Sequence, residues 1–193
     1  MKSTLKLSML GLFALSIILG SCKNESQEKK EVTNPTQDEA VLESNKGQAF
    51  IEDEASTPNI LQIALKSSDH STLVAAVQAA ELENALVNAG PLMVFAPTNA
   101  AFDALPAGTV EDLLKPENKD ALANILKYHV TPGNYSKDFL KNFKKLGQAN
   151  NQNVAVEVKD NQVYVGGAKI VASVSAGNGI VHVVDKVILP PTQ

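Results

Sequence analysis

Three histidines are the side chains in this 193-residue chain best suited to hold a metal ion or to move a proton. They are His70, His129 and His182. Three histidines can bind Zn²⁺, but none of these has a second histidine at a local spacing such as His-x-x-x-His. The single cysteine, Cys22, excludes an intramolecular disulfide and a thiolate-rich metal site. We therefore expect no metal ion and no cofactor.

The sequence contains no recognisable arrangement of residues for nucleophilic catalysis or for chemistry on a phosphate group. It contains neither a Gly-x-Ser-x-Gly elbow nor a phosphate-binding glycine loop with its lysine. Thr98, Asn99 and Asp103 form a polar group, but Thr98 and Asn99 are better explained as turn and helix-capping residues. We expect a protein that is not an enzyme.

The apolar neighbours of two histidines predict a structural role for them. His129 shares a predicted helix face with Ile125 and Leu126, so its ring should pack inward with a hydrogen bond, while Tyr128 should be exposed. His182 alternates with Ile180 and Val184 along a predicted strand, which indicates a buried donor that bridges two sheets. Asp185, at the end of that strand, is expected to tie down a turn or to cap backbone N–H groups.

The first 21 residues are typical of a secretion signal. Lys2 and Lys6 precede an apolar run, residues 7–19, that is too short to cross a bilayer comfortably. The following Leu19-Gly20-Ser21-Cys22 resembles a bacterial lipobox, in which cleavage leaves the cysteine first and lipid is attached to it. An ordinary signal peptide with a free thiol is the alternative. Residues 1–21 are thus predicted to be a lipoprotein signal peptide, with Cys22 as the lipid attachment site.

The next segment, residues 22–53, is polar and has only scattered apolar residues, so we expect a flexible tether. Residues 54–190 have the length of one folded domain. The net charge is −4, and removal of the two lysines in residues 1–21 makes it −6. An acidic mature chain argues against nucleic-acid binding, which rewards Lys and Arg.

The predicted elements of the domain run from helices to strands. Helical spacing dominates up to Val87, and the apolar run of residues 92–96, closed by Pro97, predicts a buried strand. Another helix is expected to carry His129 and to end at Thr131-Pro132-Gly133. Alternating valines on both sides of Asp160-Asn161 predict a hairpin, and further strands follow toward the C-terminus. Helices followed by mostly antiparallel strands indicate an α+β domain.

Two distant segments, residues 90–106 and 178–190, resemble the signature boxes of the fasciclin domain, an extracellular adhesion module. Tyr128-His129 lies between them, where that family carries its Tyr-His motif. The residues that carry the resemblance are Phe95, Pro97, Thr98, Asn99 and Phe102 in the first box and His182 and Asp185 in the second. The resemblance implies a wedge of two mostly antiparallel β-sheets with helices packed alongside.

The resemblance also implies a role in cell adhesion or in binding an extracellular or envelope protein or glycan, with Tyr128 and His129 as the candidate interaction surface. With the lipobox, it implies a monomeric domain held by lipid at the cell envelope, on the outer membrane, its periplasmic face or the cell surface. The alternative is a carrier in which a groove between sheets and helices binds a small hydrophobic ligand, carotenoid-like or lipid.

Overall fold

The computed structural model describes residues 56–191. Cys22, the predicted signal peptide and the predicted tether lie outside the described residues. Seven α-helices are found in the described part: Ile60–Leu65 (α1), Ser71–Ala79 (α2), Glu83–Asn88 (α3), Asn99–Asp103 (α4), Thr109–Leu113 (α5), Lys119–Tyr128 (α6) and Lys137–Leu140 (α7). It also contains seven strands: Leu92–Pro97 (β1), Val130–Pro132 (β2), Lys145–Gly147 (β3), Asn153–Lys159 (β4), Gln162–Val165 (β5), Ala168–Ala176 (β6) and Gly179–Val184 (β7).

Short helices with local caps make up most of the first half of the domain. At the start of α1, the Asn59 side chain accepts the Gln62 N–H, and the Gln62 side chain accepts the Asn59 N–H. This reciprocal pair satisfies two backbone donors that the first turn leaves free. No helix within residues 56–191 is long and apolar enough to cross a membrane.

The seven strands form one sheet in the order β2-β1-β7-β6-β5-β4-β3. The pair β1–β7 is parallel, and the other neighbouring strands are antiparallel. The predicted hairpin is confirmed as β4 and β5, and Asp160 and Asn161 at its tip both have positive φ. A parallel pair needs a long connection, and here the connection is the whole chain between residues 97 and 179.

The parallel pair depends on close contact of two backbones at its start. Gly179 pairs with Leu92 and has a φ of 154°. A Cβ at this position would lie 1.9 Å from the Leu92 carbonyl oxygen, far inside van der Waals contact. Only glycine therefore fits where the second signature segment meets the first.

Each face of β1 contributes to a different hydrophobic core. Leu92, Val94 and Ala96 pack with the helices α1, α2 and α6, whereas Met93 and Phe95 pack with the later strands. The alternation follows from the two-residue period of a strand. Because both faces are covered, β1 is apolar along its whole length, and this agrees with the uninterrupted run in the sequence.

The sequence predicted two sheets, but the structure contains one strongly bent sheet of seven strands. Ala168 and Lys169 of β6 pair with β5, and a bulge between Ile170 and Ala172 interrupts the pairing of β6 with β7 just beyond them. The sheet nearly closes, since the Ala149 N–H beyond β3 donates to the Val130 carbonyl of β2 at 2.7 Å. Bulges raise local twist and allow such curvature.

Candidate functional site

The two signature segments meet at Phe95 and His182. These residues are direct partners in the parallel β1–β7 pair, and both side chains are fully buried. Their rings stack with centroids 5.9 Å apart and an angle of 24° between the planes. The expectation that His182 faces the core is confirmed.

His182 uses both ring nitrogens inside the core. Nε2 lies 2.9 Å from the Tyr135 carbonyl oxygen and Nδ1 lies 2.7 Å from Ser173 Oγ. A carbonyl can only accept, so Nε2 carries the proton and Nδ1 accepts from the hydroxyl. Burial lowers the pKa of His182, and the positive charge of Lys137 acts in the same direction. The ring is therefore a neutral structural bridge between β7, β6 and the loop before α7.

His129 connects the end of α6 to the end of the second signature segment. Its Nδ1 lies 2.9 Å from the Ile125 carbonyl, and its Nε2 accepts the Ile188 N–H at 2.9 Å. Its own carbonyl accepts the Phe95 N–H. Burial lowers the pKa of His129 to about 4, so the ring is neutral at physiological pH. The histidine thus holds three distant parts of the chain together.

The expectation of an exposed Tyr128 is wrong. Only 4% of this residue is exposed, and its hydroxyl donates to the Asn153 carbonyl at 3.0 Å. Burial raises the pKa of its phenol. Tyr128 faces the core formed by the later strands, while the neighbouring His129 lines the helix side. An interaction surface made of Tyr128 and His129 stays a prediction, and in this structure both residues are buried.

Thr98 and Asn99 anchor helices next to the end of β1. The Thr98 hydroxyl accepts the Ala101 N–H at 3.3 Å and caps α4. The Asn99 side chain accepts the Thr72 N–H in the first turn of α2 and donates to the Ser68 carbonyl. These contacts agree with the predicted capping role, although Asn99 caps a helix 27 residues earlier in the chain.

The remaining signature residues have structural contacts as well. The Asp185 carboxylate accepts the Lys169 N–H at 2.8 Å, as a backbone cap would. Pro97 is fully buried at the end of β1, and Phe102 packs against the helix-side core. Within residues 56–191, no group of three or more His, Cys, Asp and Glu side chains is placed to hold a metal ion.

An apolar cavity of about 230 Å³ lies between the helices and the outer face of β1 and β7. Helix-borne Leu, Ile, Val and Ala side chains form one wall, and Leu92, Val94 and Val181 form the other. His129 lines its inner end. The exposed residues Ala85, Ala89, Lys127 and Ala149 line it on the solvent side. Such a site can hold a hydrocarbon chain or a small apolar ring, and it offers almost no polar group for chemistry.

Sequence reasoning missed several partners of the signature residues. Ser173 and Tyr135 complete the hydrogen bonds of His182, and Ile188 completes those of His129. Two of these three partners are backbone groups, which carry no residue-type signal. The third is one serine in a strand rich in small residues, and the sequence does not distinguish it from its neighbours.

Comparison with known proteins gives a match over the part of the chain that contains both signature segments. A family model described as the fasciclin domain matches residues 68–190. Protein sll1483 of Synechocystis sp. is 46% identical over 160 residues, which cover 81% of this chain and 88% of that protein.

Two further similarities cover shorter parts of their counterparts. Cell surface glycolipoprotein MPB83 of Mycobacterium bovis is 36% identical over 107 residues, covering 55% of this chain and 47% of that protein. A solved FAS1 domain pair from the insect cell adhesion molecule fasciclin I has a TM-score of 0.47 and 21% identity. That likeness covers 61% of this chain and 44% of the solved chain.

Proposed function

Because the chain belongs to the fasciclin domain family, we propose that it is a lipid-anchored binding module of the cell envelope. In this role, one domain binds an extracellular or envelope protein or glycan and so mediates adhesion. The observation that carries the proposal is the family match over residues 68–190, which contains the complete set of buried signature contacts. The fasciclin domain is an extracellular adhesion module, and a signal peptide would deliver this one outside the cytoplasm.

The arrangement of the signature residues supports binding rather than catalysis. His129 and His182 are buried and neutral, and each has both ring nitrogens hydrogen bonded. A general base needs a free nitrogen within reach of a substrate proton. The histidines therefore stabilise a scaffold, and recognition falls to side chains on the outer surface.

The anchor is the second part of the proposal. Cys22 in the lipobox-like segment would carry lipid, and the polar tether up to residue 53 would separate the domain from the membrane. At roughly 5–6 Å times the square root of its length, such a tether reaches about 30 Å. The similar protein MPB83 is named a cell surface glycolipoprotein, which supports the same combination of domain and anchor.

Two measurements test this function. Cells with and without the gene are compared for attachment to surfaces or matrix, and we expect weaker attachment without it. In labelling with a radioactive fatty acid, wild-type protein should incorporate label and Cys22→Ala should not. Equal attachment of both cell types would contradict the adhesion role, and labelled Cys22→Ala protein would contradict the anchor.

The apolar cavity favours a second candidate function, a carrier of a small hydrophobic ligand. Its volume of about 230 Å³ and its Leu, Val and Ala walls suit a lipid-like chain or part of a carotenoid-like molecule. No described aromatic residue except Phe95 lines it, so the grip on a ligand would come from aliphatic contacts.

Natively purified protein, extracted and analysed by mass spectrometry, tests the carrier role. We expect a bound lipid-like compound in the wild type and a reduced amount in Ala85→Phe, which narrows the cavity on its solvent side. Ala75→Phe is the matched control, because Ala75 is exposed on α2 and lines no cavity. A colourless wild-type protein free of extractable ligand would count against this candidate.

A further inference from the structure

Three aromatic rings form a compact cluster on the surface around α7. Tyr135 and Phe139 stack with centroids 5.6 Å apart, and Phe143 contacts both of them at 5.2 and 5.5 Å. Phe139 is 49% exposed, whereas Tyr135 and Phe143 are half-buried. We call these three residues the aromatic platform. Phe139 is the one aromatic residue among the large exposed hydrophobic side chains of residues 56–191.

The aromatic platform is held rigidly from below. The Tyr135 ring lies over Gly133, where an added Cβ would come within 2.8 Å of it. The Tyr135 carbonyl accepts a hydrogen bond from the buried His182 Nε2–H at 2.9 Å. The signature histidine therefore positions a surface feature that lies 47 residues away in the chain. A preorganised ring loses little conformational entropy when a ligand binds.

The segment that carries the aromatic platform is rich in lysine, and Lys144 directly follows Phe143 in the chain. Residues 135–145 contain four lysines and one acid, Asp138. Lys141 pairs with Asp138, but Lys137 donates to two neutral oxygens, Gln162 Oε1 and the Ile170 carbonyl. Lys144 and Lys145 are exposed and have no ion pair among the described residues. The segment thus keeps a net positive charge beside an exposed ring.

The wider charge distribution points the same way. Residues 127–191 contain eight lysines and four acids, whereas residues 56–126 contain three lysines and eight acids. The domain is therefore nearly neutral in sum but divided along the chain into an acidic helical part and a basic part rich in strands. Such a division favours an anionic partner for the basic part.

We infer that the aromatic platform and its lysines bind an anionic polysaccharide, with a sugar ring on Phe139 and its carboxylate groups near Lys144 and Lys145. The inference rests on the proposed binding role and names the partner class. The C–H bonds of a sugar carry partial positive charge and pack on the negative face of an aromatic ring. The lysines supply the complementary charge, which a neutral glycan would leave unused.

The shape of the surface favours a glycan over a protein partner. Protein hot spots are aromatic or Arg side chains that become fully enclosed in a well-packed apolar centre. Here one exposed ring lies against two half-buried rings, in a segment that also carries the exposed Lys144 and Lys145. Lysine is depleted in protein interfaces. A flexible chain of charged sugars can follow such a surface without enclosing it.

Binding of the purified full chain to alginate, a linear polymer of uronic acids, tests this inference, with neutral dextran as the comparison polymer. We expect wild-type protein to bind alginate in preference to dextran, more weakly as salt rises. Phe139→Ala and the double variant Lys144→Gln/Lys145→Gln should each weaken binding by about 10-fold, equivalent to the loss of about 1.4 kcal/mol. Phe139→Tyr keeps the ring and should retain binding.

Matched controls separate this surface from general charge and hydrophobicity. Val174→Ala removes an exposed apolar side chain on β6, and Lys66→Gln removes an exposed lysine in the helical part; neither should change binding. All variants alter exposed side chains, and unchanged melting temperatures will show that they fold. The inference would be overturned if the wild-type protein does not bind alginate. It would also be overturned if the control variants lose as much alginate binding as Phe139→Ala. If the attachment of cells depends on the gene but the protein does not bind alginate, the adhesion role stands and the anionic-polysaccharide inference fails.

Discussion

His182 shows how one residue can matter to the fold without reaching the surface of the protein. Its ring satisfies the Tyr135 carbonyl and the Ser173 hydroxyl while stacking on Phe95. The ring is fully buried, and of its two partners only Ser173 belongs to an exposed residue. A buried acceptor left without its donor costs more than the hydrogen bond itself contributed.

Replacement of His182 by leucine is expected to lower the free energy of unfolding by about 1–3 kcal/mol, because the Tyr135 carbonyl is left unpaired. Equilibrium urea denaturation of wild type and variant measures the difference. Ser173→Ala is the matched control, since Ser173 is exposed and water can reach its place, and it should cost less than about 1 kcal/mol. Equal stability of wild type and His182→Leu would show that the ring is not a core bridge.

His129 makes stability depend on pH in a defined direction. Its pKa is about 4 in the folded protein and about 6.5 in an unfolded chain, where it is close to the reference value. Above pH 6.5 the ring is neutral in both states. Between pH 6.5 and 4 only the unfolded chain binds the proton, so the unfolding free energy should fall by on the order of 3 kcal/mol.

Urea titrations at several pH values between 7.5 and 4 test this dependence, with His129→Gln as the comparison. Burial also lowers the pKa of His70 and His182, so they contribute loss in the same direction to both proteins. The difference between wild type and variant isolates His129. Parallel curves for the two proteins over this range would contradict the assignment.

At the scale of elements, the parallel pairing of β1 and β7 depends on one backbone contact. Gly179→Ala would place a methyl group 1.9 Å from the Leu92 carbonyl, so we expect it to destabilise the fold by at least about 3 kcal/mol or to prevent folding. Gly90→Ala is the control, because a Cβ there meets nothing within 4 Å, and it should change stability by less than about 0.5 kcal/mol. Thermal melting of both variants provides the measurement, and similar melting points would refute the pairing.

The elements with strong local signals were predictable from the sequence. The apolar run ending at Pro97 is β1, and Asp160-Asn161 is the tip of the β4–β5 hairpin. The three-residue strands β2 and β3 were not predicted, because such short elements have no period of their own. These two strands form because they hydrogen bond to neighbouring strands of the sheet. That pairing depends on how the whole sheet curves until it nearly closes.

At the scale of the whole molecule, the sequence predicted which segments matter better than it predicted which way their side chains point. Tyr128 was expected outside because His129 beside it was expected inside. Both are buried, since α6 ends between two cores and each residue enters a different one. The aromatic platform carried a sequence signal, three rings spaced four residues apart, but only the fold shows that the middle ring is exposed.

The central claim is that residues 92–97 and 179–184, separated by more than 80 positions, pair in parallel within one core. The proposed binding surface depends on that core. Nuclear Overhauser effects in the full-length protein test it most directly, measured between the ring protons of Phe95 and those of His182. The account predicts clear cross-peaks, since the ring centroids lie 5.9 Å apart and the planes stack. Assigned rings without a cross-peak, and a His182 ring in fast exchange with solvent, would contradict it.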